Sequence, residues 1–482
     1  MAAIIYVTGQ VSAVHHLACF DRLSLAFGFS PGPVCRSLQT GLAEPHETRQ
    51  AARLAKRAFL HMRAWTRFCT AAGVALAVIG GLSALAEPAA AQRSDWRRAL
   101  GPSYGYDGPE PDDRAQIRAW EMNPKAGLPT LSPGNLGPMK AAIARYTGIA
   151  AKGGWRKLPN DAKLRQGDTD PAVTLLRARL VATGELQDTG SSDYFDYDLG
   201  QAVRRYQEAN GLAPTGIVDK ATLAALNVPA ASRLKQLRAN LARLTQLGKA
   251  PRKFIFVNIP AAQIEAIEND AVASRHAGIV GKVDRPTPLL KSSIQQLNFN
   301  AVWHLPPTVI KEDLIPTGRK MAKRGQSVLV KFKIDAYGGD GRKLDPTKVN
   351  WSTAQGLTFR QQPGPENPLG FVKLNFPNAH SVYMHDTPGK ALFGRSFRAA
   401  SSGCVRVSEI DKLAAWLAAD QGWKAEQVRH MKDTRERYDL TLKHAVPLYF
   451  AYITAWATRD GAVHFRRDIY NKDGVGKQAA TY

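Results

Sequence analysis

Cys404 sits in the run Ser401-Ser402-Gly403-Cys404-Val405-Arg406, and His385 lies upstream in Tyr383-Met384-His385-Asp386-Thr387-Pro388. The other cysteines, Cys19, Cys35 and Cys69, are all near the start of the chain. A thiol with an imidazole in reach is a candidate nucleophile: the ring takes the thiol proton and the thiolate attacks a carbonyl carbon. Gly403 tolerates unusual backbone angles and lets a ligand approach closely. The amides of Gly403 and Cys404 are then expected to point at the carbonyl oxygen under attack. No metal or cofactor is needed for this chemistry, and none is expected. An isolated cysteine is more commonly a small buried apolar residue, but the flanking Ser-Ser-Gly and Arg406 argue against that here. His304, His380, His430, His444 and His464 compete with His385 as the base. Asp386 invites a triad reading, yet neighbouring strand residues face opposite ways, so a structural or turn role is expected for it. The group orienting the imidazole is then a backbone carbonyl or another residue that spacing does not identify.

These residues need a framework. From Arg252 onward the hydrophobic period becomes that of strands: Phe254 to Ile259, Gln263 to Ile267, Val328 to Phe332 and Tyr449 to Trp456. Ser381 to Met384 alternates polar and apolar, which puts His385 at a strand end. Gly389 and Gly394 mark a turn-rich connection to the cysteine. Ser408-Glu409-Ile410-Asp411 resembles a capping box opening a helix through Leu413, Trp416 and Leu417. Cys404 lies too far ahead of that helix for its dipole to help more than slightly. Tyr383, two residues before His385, belongs on the same side of the strand. The stretch of about 308–370 reads as an insertion, either a lid over the catalytic face or a peripheral excursion. Beyond residue 460 the polar, glycine-containing tail is expected to fray.

Upstream, residues 92–155 form a lead-in with a helix from Leu136 to Ile149. Residues 156–230 read as a small three-helix unit, with Asp170 capping a helix opened by Pro171, Val203 and Tyr206 on a second helix, and Ala221 to Leu226 as a third. Leu234, Leu237, Leu241 and Leu244 define a connecting amphipathic helix within 231–250, a stripe expected to pack as core.

The chain of 482 residues has room for two to four domains at about 100–200 residues each. Lys and Arg number 65 against 41 Asp and Glu, a net charge of +24. That surplus fits either a polyanionic neighbour or simply a well-solvated basic surface. With no zinc-finger spacing, RNP-like motif or dense Lys/Arg stripe, nucleic acid is not expected as a partner. Residues 62–91 combine a basic Met62-Arg63-Ala64-Trp65-Thr66-Arg67, an apolar run from Phe68 to Ala86 and an Ala89-Ala90-Ala91 cleavage pattern. This is the pattern of a secretory signal peptide, the alternative being a membrane anchor. Residues 1–61 are then either a mis-assigned start or a cytoplasmic extension. Export leaves one thiol in an oxidising compartment, which favours a reactive cysteine over a structural one.

Two resemblances sharpen these readings. Leu164-Arg165-Gln166-Gly167 and Tyr206-Gln207, followed by Gly211-Leu212, resemble the peptidoglycan-binding type 1 module. His385 with Ser-Ser-Gly-Cys-Val-Arg, together with Arg285-Pro286-Thr287-Pro288 and Trp303-His304-Leu305-Pro306-Pro307, resembles the YkuD-type L,D-transpeptidase family over roughly residues 251–457. The closest likeness is to its large periplasmic branch, with a binding module and an inserted capping subdomain; Ser402 stands where many other members have His. The implied fold is multidomain α+β, a helical module followed by a mostly β catalytic domain (251–460) with an inserted lid and a tail at 461–482. The implied roles are Cys404 as nucleophile on a tetrapeptide stem, His385 as base and later acid, and Gly403 and Cys404 as oxyanion donors. Tyr383 and Ser402 would line the substrate site, and Arg406 would either order the loop or meet a substrate carboxylate. Implied partners are donor and acceptor peptidoglycan stems in the periplasm, with carbapenem-type β-lactams as covalent inhibitors. A membrane would be met only through an uncleaved signal segment. An amine acceptor gives a 3→3 cross-link, water gives carboxypeptidase action, and a protein lysine gives lipoprotein anchoring. The contrasting reading is a wall-binding scaffold without activity.

Overall fold

The computed structural model describes residues 111–188 and 190–475; the expected extension, signal segment and first part of the lead-in lie outside them. Helix α1 (Pro111–Met122) and helix α2 (Leu136–Ala151) precede the small helical unit of α3 (Pro171–Thr183), α4 (Tyr197–Ala209) and α5 (Lys220–Leu226). Asp170, Asp196 and Asp219 each accept a backbone N–H from the first turn of the following helix, so all three helices start at a side-chain cap. Val173, Leu176, Leu180, Leu199, Val203 and Leu226 pack into one core.

Gln207 explains the spacing of the module-like motif. Its Nε2 donates to Thr215 Oγ1, the Ile217 carbonyl and Thr222 Oγ1 at 3.1, 2.8 and 3.0 Å, and its Oε1 accepts from Gly216 N–H at 2.9 Å. The glutamine is therefore an internal strut joining α4 to the loop ahead of α5. Helix α6 (Ala230–Leu247) buries Leu234 and Leu237 against Met139 and Tyr146 of α2, in a cluster shared with Phe465 near the end of the chain.

The strands begin with β1 (Lys253–Asn258), β2 (Gln263–Glu268), β3 (Ala271–Gly281) and β4 (Leu290–Phe299). An inserted subdomain follows, with β5 (Trp303–His304), α7 (Ile315–Ala322), α8 (Val328–Phe332), β6 (Ile334–Tyr337) and β7 (Thr358–Gln361) around its own core of Val309, Leu314, Leu329, Phe332 and Phe359. The chain then returns through β8 (Val372–Asn375), β9 (Met384–His385), β10 (Ala399–Ser401) and β11 (Val405–Val407). Helices α9 (Ile410–Ala418) and α10 (Ala425–Thr434) lead into β12 (Tyr438–Ala451), and β13 (Ala455–Ala457) pairs with β14 (Val463–Phe465).

The main sheet has nine strands in the order β10-β3-β11-β9-β8-β4-β12-β1-β2, and β2 also pairs with β3, so the ladder closes on itself. Alternation sorts its two faces. Val405, Met384, Leu374, Leu297 and Leu440 line up on neighbouring strands and bury against Ile410, Leu413 and Leu417 of α9. The residues between them point the other way.

Four expectations are corrected. Val328–Phe332 is a helix rather than a strand. Ser327 caps it by accepting Val330 N–H, and Lys333 ends it at φ +53°, so tertiary placement overrides the β-branched composition. The strand expected from Tyr449 to Trp456 ends at Ala451, and Trp456 belongs to the separate β13–β14 pair. The capping box at Ser408 is absent: Glu409 sits at φ +44° with no side-chain cap bond and pairs with Lys412. The tail past 460 does not fray through residue 475; Asp473 is buried against Arg243 and Thr454.

Candidate active site

Strands β9 and β11 run parallel, with Val405 beside Met384 and Arg406 beside His385. One step back in the same register, Cys404 comes abreast of Tyr383. Cys404 and Arg406 therefore share a face with Tyr383 and His385, the face opposite the α9 core. At about 7–8 Å, the diagonal between such positions is within reach of a long side chain.

His385 is almost fully buried, 5% exposed. Its Nδ1 lies 2.6 Å from the Asp386 carbonyl oxygen. A carbonyl only accepts, so Nδ1 carries the hydrogen and Nε2 keeps the lone pair of a base. The orienting group is thus a backbone carbonyl. The Asp386 carboxylate turns away, accepting Phe371 N–H at 3.1 Å and pairing with Lys390.

Cys404 is half-buried and unpaired. Burial pushes its thiol up, while the Tyr383 amide, Arg406, Lys373 and the Tyr383 hydroxyl pull it down. Burial prevails, so the resting group is a thiol that needs a base. Tyr383 lies edge-on to His385 with ring centroids 5.5 Å apart, and its hydroxyl accepts from Trp303 Nε1 at 3.2 Å. The inserted subdomain thereby reaches the side chain abreast of the sulfur.

Four residues to which the sequence reading gave no role hold the cysteine loop. Ser401 Oγ donates to the Cys404 carbonyl at 2.5 Å and accepts from Gly403 N–H at 3.2 Å. The Gly403 amide is therefore engaged within the loop, and the expectation of a free oxyanion donor there is corrected. Gly403 is needed for its φ of +115°; a Cβ there would touch nothing closer than Val382 Cγ1 at 3.6 Å. Thr287 Oγ1 donates to the Gly403 carbonyl at 2.9 Å, and Tyr470 accepts from Thr287 N–H at 3.2 Å. Ser402 Oγ accepts from Arg285 at 3.1 Å, so in this arrangement it faces a protein cation. Thr287 and Arg285 had entered only as members of motifs, Ser401 only as part of the cysteine run.

On the same face a polar row crosses five strands: Arg406, His385, Lys373, Asn298 and Asp439 are successive register partners. Among the described residues no group of three His, Cys, Asp or Glu is placed to hold a metal ion.

Residues 252–430 match the family model described as the L,D-transpeptidase catalytic domain, YkuD, and residues 169–226 match the "Putative peptidoglycan binding domain". The chain carries a YkuD-family L,D-transpeptidase catalytic domain. This L,D-transpeptidase domain and the helical module ahead of it together give the α+β architecture. The chain is 31% identical over 222 residues to a Haemophilus influenzae protein named "Putative L,D-transpeptidase", across 45% of this chain and 44% of that one. It thus spans less than half the length of that relative. Solved L,D-transpeptidases from Xylanimonas cellulosilytica and Stackebrandtia nassauensis align at 14% and 11% identity with TM-scores of 0.20 and 0.24, each over 61% of this chain and 99% and 96% of theirs.

Proposed function

We propose that this chain is a cysteine acyltransferase of the cell envelope that forms 3→3 cross-links between peptidoglycan stems. The observation that supports this most is the register of β9 and β11, which sets a half-buried thiol and a correctly tautomerised imidazole on one sheet face. In the proposed sequence His385 Nε2 takes the Cys404 proton, and the sulfur attacks the carbonyl at the L-centre of diaminopimelate in a tetrapeptide. The carbon–nitrogen bond to D-Ala breaks, the imidazolium returns its proton to the departing amine, and a thioester remains. The side-chain amine of a second stem then attacks the thioester, loses a proton to His385 and releases the thiolate. The helical module supports delivery to the wall, and the sequence pattern at 62–91 supports export.

Incubating the protein with purified disaccharide-tetrapeptides tests the reading. Cross-linked dimers with release of D-Ala, abolished by Cys404→Ala, are expected. Tripeptides alone would make water the acceptor. Neither product, together with no carbapenem adduct on Cys404, would leave a wall-binding scaffold.

A further inference from the structure

Lys373 stands next to His385 in register on the polar face. Its ammonium lies 4.6 Å from the centroid of the Tyr383 ring, the ring that comes abreast of Cys404. It is partly buried, and burial depresses its pKa. Its contact with Tyr383 is a cation–π one, and it makes no hydrogen bond or ion pair with the described residues. The carboxylate in the same row, Asp439, is two strands away, about 10 Å across the sheet, and accepts instead from Asn298 Nδ2 at 2.8 Å. A partly desolvated ammonium with only a ring beneath it retains donors for an incoming acceptor. Its surroundings repel further cations: Arg360, Lys373 and Arg437 together hold the His304 imidazole below its ordinary value, after burial itself. With Arg406 on the far side of His385, the sheet face around Cys404 is cationic.

We propose that Lys373 is a specificity-determining residue that docks a carboxylate of the stem peptide beside the carbonyl attacked by Cys404. This rests on the proposed function and adds which group of the substrate is read. Lys373 sits one strand from His385, and its ammonium lies over the Tyr383 ring, which comes abreast of Cys404. A carboxylate held there meets the ammonium over that same ring. A purely structural lysine, held by its ring contact alone, would be indifferent to the charge of the peptide.

The test uses the full chain and two donor peptides, a tetrapeptide stem with free carboxylates and the same stem amidated. Wild type is expected to favour the free form at least tenfold in KM, with the preference shrinking as salt is raised. Lys373→Met is expected to lose that preference with little change in kcat, and Lys373→Arg to recover most of it. Binding of both peptides to Cys404→Ala, with and without Lys373→Met, gives a readout independent of turnover. Equal affinity for free and amidated stems in Cys404→Ala, or a preference untouched by Lys373→Met, overturns the proposal. So does a loss confined to kcat with an upward shift in the pH profile of Cys404 alkylation, which would assign the charge to the thiolate. Charge-dependent binding without any turnover by wild type would instead sink the transferase reading and leave Lys373 standing.

Discussion

Arg285, on the connection between β3 and β4, grips Asp313 of the inserted subdomain through two hydrogen bonds of 2.8 and 3.0 Å. Glu312 adds a contact at 2.8 Å, and the same guanidinium reaches Ser402, two residues before Cys404. The insertion and the cysteine loop thus share one cation. Arg285→Ala is expected to lower kcat/KM on stem peptides by about tenfold or more, because it frees two elements that position the reaction. Asp313→Asn should give a smaller loss. A double-mutant cycle checks the coupling: the two losses should be markedly less than additive.

The buried thiol sets a pH dependence. A thiol raised above its ordinary value exposes little thiolate at neutral pH, and the fraction grows as pH rises. Alkylation of Cys404 by iodoacetamide should therefore climb through a midpoint above that of an ordinary cysteine thiol. His385→Ala should cut peptide transfer at neutral pH by about 10²–10⁴-fold while leaving alkylation at high pH nearly intact. Pre-steady-state alkylation across pH values reads both.

Gly370 packs against the side chain of Asp386, the residue whose backbone carbonyl orients His385. A Cβ there would lie 2.2 Å from Asp386 Oδ2, and its φ is +62°. Gly370→Ala must push the Asp386 side chain off Phe371 N–H and strain the backbone. A stability loss of about 1–3 kcal/mol is expected, with a fall in activity from misplacing the imidazole. Urea unfolding and kcat measured on the same preparation show whether the two losses travel together.

Gln207→Leu should destabilise the helical unit by about 2 kcal/mol or more, since it strips buried partners including Gly216 N–H. Amide exchange at Gly216 should quicken while that of β1 stays slow. Unchanged protection at Gly216 would count against the strut role.

The expected tail instead closes on the scaffold of the candidate site. The Tyr470 hydroxyl donates to the Gly281 carbonyl at 2.6 Å while accepting from Thr287 N–H. Tyr470→Phe should cost about 1 kcal/mol and slow transfer, because Thr287 holds Gly403. Truncation after residue 460 should abolish soluble folding, as judged by circular dichroism, since it removes β14 as well.

That Tyr383 and His385 share one strand face was legible because strand period acts locally. Asp386 was legible for the same reason, as alternation turns it away from its neighbour. Lys373 and Arg285 were not, because their meaning comes from which strands become neighbours, and the order β11-β9-β8-β4-β12 cannot be read from spacing. Val328–Phe332 misled because its composition favours a strand, while the evidence for a helix is the cap at Ser327 and a turn at Lys333. The tail misled because polarity was taken for solvent exposure; Asp473 and Tyr470 are polar residues satisfied internally.

Strands β9 and β11 lie side by side and point the same way, so the segment joining them must loop back the full length of the pair. The spacing of sulfur and imidazole is set by the ladder and not by that segment. The passage from Thr387 to Phe397 is tied down at its own points, Phe393 buried against Ala277 and Ile279 and Lys390 paired with Asp386, so it braces the ladder from outside without setting its register.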